Sequence, residues 1–453
     1  MFQYLDKTFL QKFGEIQLPR RNFEAKPHKA TLQFPLDKLK LQGDNNLMKP
    51  RTLSVILHKA VKTFPSIVLT GPRQSGKTTL LQKEFGKSHS YISLENPDVR
   101  IRAKADPVAF LSQITTPAIL DEIQYVPEIL SYIKTSIDEN RQPGRWILTG
   151  SQNFTLMQNV SQSLAGRSAV ISLLPFSIAE RLNKGEESFP VEKILSFPPF
   201  VNNKTAASLS EIILRGNYPE IASNPRIDRG LWCGSYITTY LERDIRNLKQ
   251  VGDLGQYELF LRACAVRTGQ ILDLSAISRE IGVTFTTAKR WLSLLETGYQ
   301  VLLLYPYYKN LGKRMIKRPK IYFTDTGLAS YLLGINTSEN LLQGPFFGPL
   351  FETLVVTDFW KRFHHHGQKP SMYYLRTRDG LEIDLVIETE GELNLIEIKS
   401  SSTIRPEHAS SLLRIKHDLG NLVTRNIIIS NSQKSFVLSK EIFNHSWSAF
   451  LSR

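Results

Sequence analysis

The sequence predicts an α/β protein: a phosphate-binding sheet, then a helical segment, a winged helix-turn-helix and a second α/β module. Three stretches predict it. Gly71-Pro-Arg-Gln-Ser-Gly76-Lys77-Thr78-Thr79 stands between a buried-strand run at 66–70 and a helical segment at 79–84, the context that a G-x-x-x-x-G-K-[ST] loop requires. Two helical segments at 274–282 and 285–296 meet at a turn with glycine and lead into a strand pair, the pattern of a helix-turn-helix with a wing. Finally, a helical Glu352, a strand Asp384 and Glu397-Ile-Lys399 occupy the last third of the chain.

Composition narrows the partners. A chain of 453 residues predicts about three domains, and 41% hydrophobic residues suffice for packed cores. No window approaches the ~18 uninterrupted apolar residues of a membrane span, and no secretory signal is expected. Two cysteines, Cys233 and Cys264, make neither a disulfide framework nor a cysteine zinc site, so a reducing, cytoplasmic setting is expected. The net charge of +15, from 57 basic and 42 acidic residues, attracts polyanions, chiefly nucleic acid or an anionic membrane surface. DNA is the expected partner, with no membrane.

Residues 1–48 read as a basic extension without a sustained period. Residues 49–190 form the phosphate-binding domain. Gly71 and Gly76 allow backbone angles that turn successive N–H groups around phosphate oxygens, and the following helix N-terminus adds partial positive charge. The loop residues Gly71, Pro72, Arg73, Gln74, Ser75, Gly76, Lys77, Thr78 and Thr79 are therefore the expected ATP contacts. Lys77 is suited to the β- and γ-phosphates and the Thr78 hydroxyl to Mg²⁺. A strand at 117–122 ends in Asp121 and Glu122, at the carboxyl edge where such sheets bind ligands. Asp121 is expected to hold Mg²⁺ through its water shell, and Glu122 to orient and deprotonate the attacking water. Glu95-Asn-Pro-Asp98 reads as a turn. A fourth strand, 145–149, leads into polar side chains up to Asn153 that suit γ-phosphate sensing.

Those residues carry a resemblance. The stretch 71–79, Leu120-Asp-Glu-Ile-Gln124, Leu148-Thr-Gly-Ser-Gln152, Leu164-Ala-Gly-Arg167, Leu174-Pro-Phe-Ser177, Arg215-Gly-Asn-Tyr-Pro219-Glu220 and Tyr240-Leu-Glu-Arg-Asp244-Ile245 resemble the AAA+ ATPases of bacteria and archaea that carry an uncharacterised C-terminal domain. The resemblance spans roughly 50–430, and the first ~50 residues depart from it. It implies that Gln152, or Ser151 beside it, senses the γ-phosphate. It also implies an arginine acting in trans, with Arg167, Arg243 and Arg246 as candidates, and hence a homo-oligomer such as a hexameric ring.

Residues 191–255 read as a helical lid over the nucleotide, from which Arg215 is expected to approach the phosphates. Residues 256–335 read as the winged helix. Lys289 and Arg290 lie on its reading helix, and its wing carries Lys309, Lys313, Arg314, Lys317 and Arg318 with no acidic residue among them, suited to DNA phosphates. The alternative is a winged fold used for packing. Residues 334–348 read as a linker and 345–453 as the last domain, opening on an amphipathic helix at 349–360; 426–430 is its last strand. Glu352, Asp384, Glu397 and Lys399 resemble the PD-(D/E)xK nuclease superfamily, including archaeal Holliday-junction resolvases, and imply a restriction-endonuclease-like module. There Asp384, Glu397 and the Ile398 carbonyl would bind Mg²⁺, Lys399 would assist the hydrolytic water, and Glu352 would complete the carboxylate set. The alternative reading of E-x-K is alternating charge on an edge strand of a scaffold. His364-His365-His366 reads as a solvated helix end.

Overall fold

The structure, a computed structural model, describes residues 48–150, 163–198, 208–239, 254–308, 318–377 and 379–453. Ser151, Gln152, Arg243, Arg246, Lys309, Lys313, Arg314 and Lys317 lie outside the described residues. No helix among the described residues is long and apolar enough to cross a membrane.

The phosphate-binding sheet is built from α1 (Leu53–Val61), β1 (Ser66–Thr70), α2 (Lys77–Phe85), β2 (Ser90–Ser93), α3 (Pro97–Ala105), α4 (Pro107–Ser112), β3 (Ala118–Asp121), α5 (Ile129–Glu139), β4 (Trp146–Thr149) and β5 (Ser168–Ser172). Its five strands run parallel in the order β2-β3-β4-β1-β5. β1, β3 and β4 are buried at every position, as parallel strands covered on both faces must be. Strand order reverses beside β1, so the carboxyl ends of β1, β3 and β4 meet at the ligand crevice of this topology. The expected turn at 95–98 is instead a helix start. The Asn96 side chain accepts from the Asp98 N–H, and Pro97 takes the first helical position, where its missing donor is harmless.

Short helices follow: α6 (Ile178–Arg181), α7 (Val191–Leu195), α8 (Leu209–Arg215), α9 (Pro219–Ser223) and α10 (Arg229–Thr239). Arg215 does not reach the phosphate crevice. Its guanidinium donates to the carbonyls of Ile221, Asn224 and Ile227 at 2.8–3.2 Å and closes the turns after α9. Next come α11 (Leu254–Val266), β6 (Gln270–Ile271), α12 (Leu274–Glu280), α13 (Phe285–Thr297), β7 (Val301–Leu304) and β8 (Lys320–Phe323), the strands forming an antiparallel sheet in the order β6-β8-β7. Then come α14 (Thr326–Leu332) and α15 (Ser338–Gln343). The expected linker at 334–348 thus holds a packed helix: Thr337 caps it by accepting from the Asn340 N–H, and Leu341 is fully buried.

The last module comprises α16 (Phe347–His365), β9 (Met372–Arg376), β10 (Glu382–Thr389), β11 (Glu392–Lys399), α17 (Ser410–Leu419), β12 (Val423–Ser430), β13 (Phe436–Ser439), β14 (Ile442–Ser446) and α18 (Trp447–Leu451). Its sheet runs β13-β14-β12-β11-β10-β9. β11 pairs with both β10 and β12, so Glu397-Ile-Lys399 lies on a central strand and not on an edge. The 426–430 strand has β13 and β14 beyond it as well.

α16 differs most from expectation. Fourteen of its nineteen residues are buried, including Asp358, Lys361, Arg362 and His365, so it is a core helix and not amphipathic. Its apolar side chains share one core with α7 to α15 and with β7 to β12. The histidine end is correspondingly not solvated: His365 is buried, and burial lowers His364 to about 4. One reason lies in the first domain. Glu180 of α6, with no exposed surface, accepts from Arg51 Nε at 3.1 Å, from the Thr52 N–H at 2.9 Å and from the Ser177 N–H at 3.0 Å. His365 Nδ1 stands 3.2 Å from its other face. Burial alone would raise this carboxyl, but Arg51 and His365 outweigh it and hold it far below the usual range. Beside it, the Ile178 N–H donates to Asp358 Oδ1 at 2.6 Å.

Removing one partner of a buried ion pair leaves the other charge uncompensated, a loss of about 3–5 kcal/mol. Glu180→Ala should therefore lower the free energy of unfolding by that order, read by urea titration. A change within experimental scatter would show that Arg51 finds equivalent partners.

Candidate functional site

The phosphate loop forms because the backbone closes tightly on itself. Gly71 has φ +142°, and a side chain there would meet the Leu173 carbonyl oxygen at 2.1 Å, so only glycine fits. Gln74 and Gly76 are also left-handed, at φ 58° and 92°. Lys77, the first residue of α2, turns its ammonium back to donate to the Gly71 and Pro72 carbonyls, both at 2.9 Å. Arg51 supports the loop from behind, donating to the Ser75 carbonyl at 2.9 Å and the Leu174 carbonyl at 2.6 Å.

β3 brings its carboxylates to this loop. Thr78 Oγ1 donates to Asp121 Oδ2 at 2.8 Å, Tyr91 of β2 donates to the same oxygen at 2.5 Å, and the Glu122 N–H donates to Oδ1 at 3.0 Å. Burial and then the Asp121 charge raise the Tyr91 phenol far above its ordinary value, so Tyr91 remains a donor. Glu122 sits in the left-handed region at φ 57°, ψ 47°, an outlier of the kind that gathers at functional sites. Gln124 donates through Nε2 to its carboxylate. Thus Lys77, Thr78, Asp121 and Glu122 are assembled at one sheet edge. Arg73, Gln74 and Ser75 form the loop crest, and Thr79 is exposed on α2. Ser75 Oγ and Thr149 Oγ1, the latter at the end of β4, are buried with no hydrogen-bond partner among the described residues. Such orphaned donors beside a glycine cradle fit a phosphate-bearing ligand with its magnesium ion.

Arg167 lies at the opposite edge. It directly precedes β5, and its carbonyl accepts from the Ser66 N–H at the start of β1. Its guanidinium is clamped on Asp138 at 2.6 and 2.9 Å.

Residues 63–182 match a model described as an AAA domain. Residues 206–339 and 347–449 match two domains of unknown function, DUF8612 and DUF4143. Uncharacterised proteins of Mycobacterium tuberculosis and Mycobacterium bovis are 30% identical over 399 residues, 87% of this chain and 83% of theirs. The chain belongs to this family of AAA-domain proteins. Among solved structures it is similar to a Walker-type ATPase of Pyrococcus abyssi, at 15% identity and a TM-score of 0.39 over 63% of this chain and 99% of that one. It is also similar to the Thermotoga maritima RuvB Holliday junction branch migration motor, at 17% identity and a TM-score of 0.27 over 58% and 89%.

This AAA-type P-loop ATPase carries a second constellation in its DUF4143 region. Glu352 from α16, Asp384 from β10, and Glu397 and Lys399 from β11 lie close together. Lys399 is paired with Glu397 and stands 3.7 Å from Asp384 Oδ2, which also accepts from the Ile398 N–H at 2.8 Å. Sequence reasoning missed the rest. Lys320 of β8, with 3% of its surface exposed, places Nζ 3.0 Å from Glu352 Oε1, 2.6 Å from Glu382 Oε1 and 3.9 Å from Asp384 Oδ1. Tyr322, two residues on, donates to Glu352 Oε1 at 2.6 Å. The only signal for either was a lysine and a tyrosine alternating on an otherwise apolar strand. As arranged, the set does not fit a metal ion: among the described residues no group of three or more His, Cys, Asp or Glu side chains is placed to hold one. Lys289 and Arg290 are exposed on α13, whereas Arg318 pairs with Asp273 at 2.9 Å.

The cluster carries a pH signature. Burial, reinforced by Asp384, pushes Glu352 up to about 7 and Glu397 up to about 8. A carboxyl raised in the fold binds its proton where the unfolded chain has lost it, so its contribution is present below the ordinary 4.5 and fades as pH rises to about 8. Stability should fall across that window by at most about 1.4 kcal/mol per pH unit for each such group. Glu397→Gln should flatten the fall by one proton, read from denaturation midpoints at pH 5 and 8; an unchanged slope would show that Glu397 is not titrating in this window.

Proposed function

We propose that this ATPase hydrolyses ATP at 71–79 and uses the turnover to act on DNA, branched DNA or junctions included, as a cytoplasmic homo-oligomer such as a hexameric ring. The observation that carries the hydrolytic reading is the Thr78–Asp121–Glu122 chain of hydrogen bonds beside the Lys77 loop. Thr78 and Asp121 would hold Mg²⁺, which when bound supplies charge neutralisation on the phosphates. Lys77 and the loop N–H groups orient the β- and γ-phosphates, Glu122 takes the proton of the attacking water, and Gln152 reports on the γ-phosphate. Arg167 lies at the sheet edge away from its own loop, so its action would be on a neighbouring subunit. Lys77→Ala should reduce ATP turnover to background in a phosphate-release assay. Glu122→Gln should keep nucleotide binding while losing turnover; wild-type turnover in either variant overturns the assignment.

For DNA the support is the net charge of +15 together with Lys289 and Arg290 exposed on α13, with Lys313, Arg314, Lys317 and Arg318 completing the basic wing in this reading. Glu352, Asp384, Glu397 and Lys399 would cleave or grip the strand. A second reading, an ATP-driven switch with a protein partner and a degenerate nuclease fold, is favoured by one observation: Lys320 sits among the carboxylates. A Lys289→Glu/Arg290→Glu variant should weaken DNA binding across sequences and lower the slope of log affinity against log salt by about 0.9 for each phosphate no longer neutralised. Equal affinity and slope in the variant, or no DNA binding by the wild type at low salt, supports the switch.

A further inference from the structure

A lysine with 3% of its surface exposed needs a reason, because an ammonium leaves water only against compensating charge. Lys320 has three carboxyl groups around it. Its Nζ stands 2.6 Å from Glu382 Oε1, 3.0 Å from Glu352 Oε1 and 3.9 Å from Asp384 Oδ1. Those carboxylates belong to α16 and β10 of the last module, whereas Lys320 is borne by β8 of the three-stranded sheet. The delivery is built into the fold. Residues i and i+2 on a strand share a face, so Lys320 and Tyr322 meet Glu352 together, the tyrosine at 2.6 Å. Tyr374 of β9 donates to the Arg318 carbonyl at 2.7 Å and fixes the chain just before Lys320. The extension of β7 pairs along β9, with the Tyr307 N–H donating to the Tyr374 carbonyl at 2.6 Å and the Tyr374 N–H to the Tyr305 carbonyl at 3.1 Å.

The ammonium therefore does electrostatically what a divalent cation would do at the same carboxylates. The two are mutually exclusive, since a bound cation needs oxygen atoms at about 2.0–2.6 Å and would face a buried positive charge.

We propose that Lys320 is the resident counter-cation of the Glu352–Glu382–Asp384 cluster, so that the last module, with Lys320 in place, excludes Mg²⁺ and Mn²⁺ from these carboxylates. The proposal rests on the nuclease-type reading of Glu352, Asp384, Glu397 and Lys399.

Mn²⁺ titration of the nucleotide-free full chain, followed by electron paramagnetic resonance, tests it. Any Mn²⁺ taken up near Thr78 and Asp121 is common to all variants and cancels. Wild type and Asp384→Asn should bind Mn²⁺ alike. Lys320→Met should gain one site per chain, at least tenfold tighter than any other wild-type site, and lose it again when combined with Asp384→Asn. Lys320→Arg, which keeps the charge, should gain none. A wild-type site that Asp384→Asn removes overturns the proposal, as does a folded Lys320→Met with no new site. Should Lys320→Met fail to fold, Lys320→Gln and the wild-type comparison give the same two readings. Absence of DNA cleavage in a Lys320→Met chain that has gained Mn²⁺ would instead count against the nuclease reading and leave the exclusion by Lys320 intact.

Discussion

Glu180 is the constraint on which the arrangement depends. A carboxylate with no exposed surface is tolerable only if it is paired and hydrogen-bonded, and Glu180 achieves this by collecting groups from distant parts of the chain. Arg51 and Thr52 come from the start of the ATPase domain, Ser177 from just beyond β5, and His365 from the end of α16. Arg51 has two further hydrogen bonds, to the carbonyls of Ser75 in the phosphate loop and of Leu174. The loop that cradles phosphates and the helix at the centre of the last module are thus held by the same guanidinium–carboxylate pair.

That attachment explains why α16 is buried on all sides. Its C-terminal end is fixed by Glu180, by Asp358 accepting from the Ile178 N–H, and by Arg362 donating to the Phe189 and Leu451 carbonyls. Glu352 lies thirteen residues before His365, about 20 Å along the helix axis at about 1.5 Å per residue. A single rigid element therefore has one end beside the support of the phosphate loop and the other within the acidic cluster.

What was legible in the sequence was local. The phosphate loop, the strand ending in Asp121-Glu122 and the Glu-x-Lys strand are each written within ten residues, and periodicity fixes which side chains share a face. What was not legible depends on partners far away in the chain. Nothing near Glu180 announces a buried ion pair, since its partners are 129 and 185 positions away, at Arg51 and His365. The stretch 349–360 reads as amphipathic because a residue such as Asp358 looks solvent-facing, and His364-His365-His366 reads as a solvated helix end, until distant partners cover them. The linker at 334–348 and the turn at 95–98 mislead for a smaller reason: Thr337 and Asn96 look like loop formers, while both act as helix caps, a role the same residue types perform equally well.

The two constellations also differ in how they balance charge. At the ATPase edge, Asp121 is surrounded by neutral donors, Thr78, Tyr91 and the Glu122 N–H, so its negative charge stays available to a cation arriving with a nucleotide. In the last module, two ammonium groups, Lys320 and Lys399, already stand against Glu352, Glu382, Asp384 and Glu397. A cation entering there would face both positive charges. Lys320 arrives on a different sheet. The asymmetry leaves the carboxylate of the first site among neutral donors and those of the second already matched by ammonium groups.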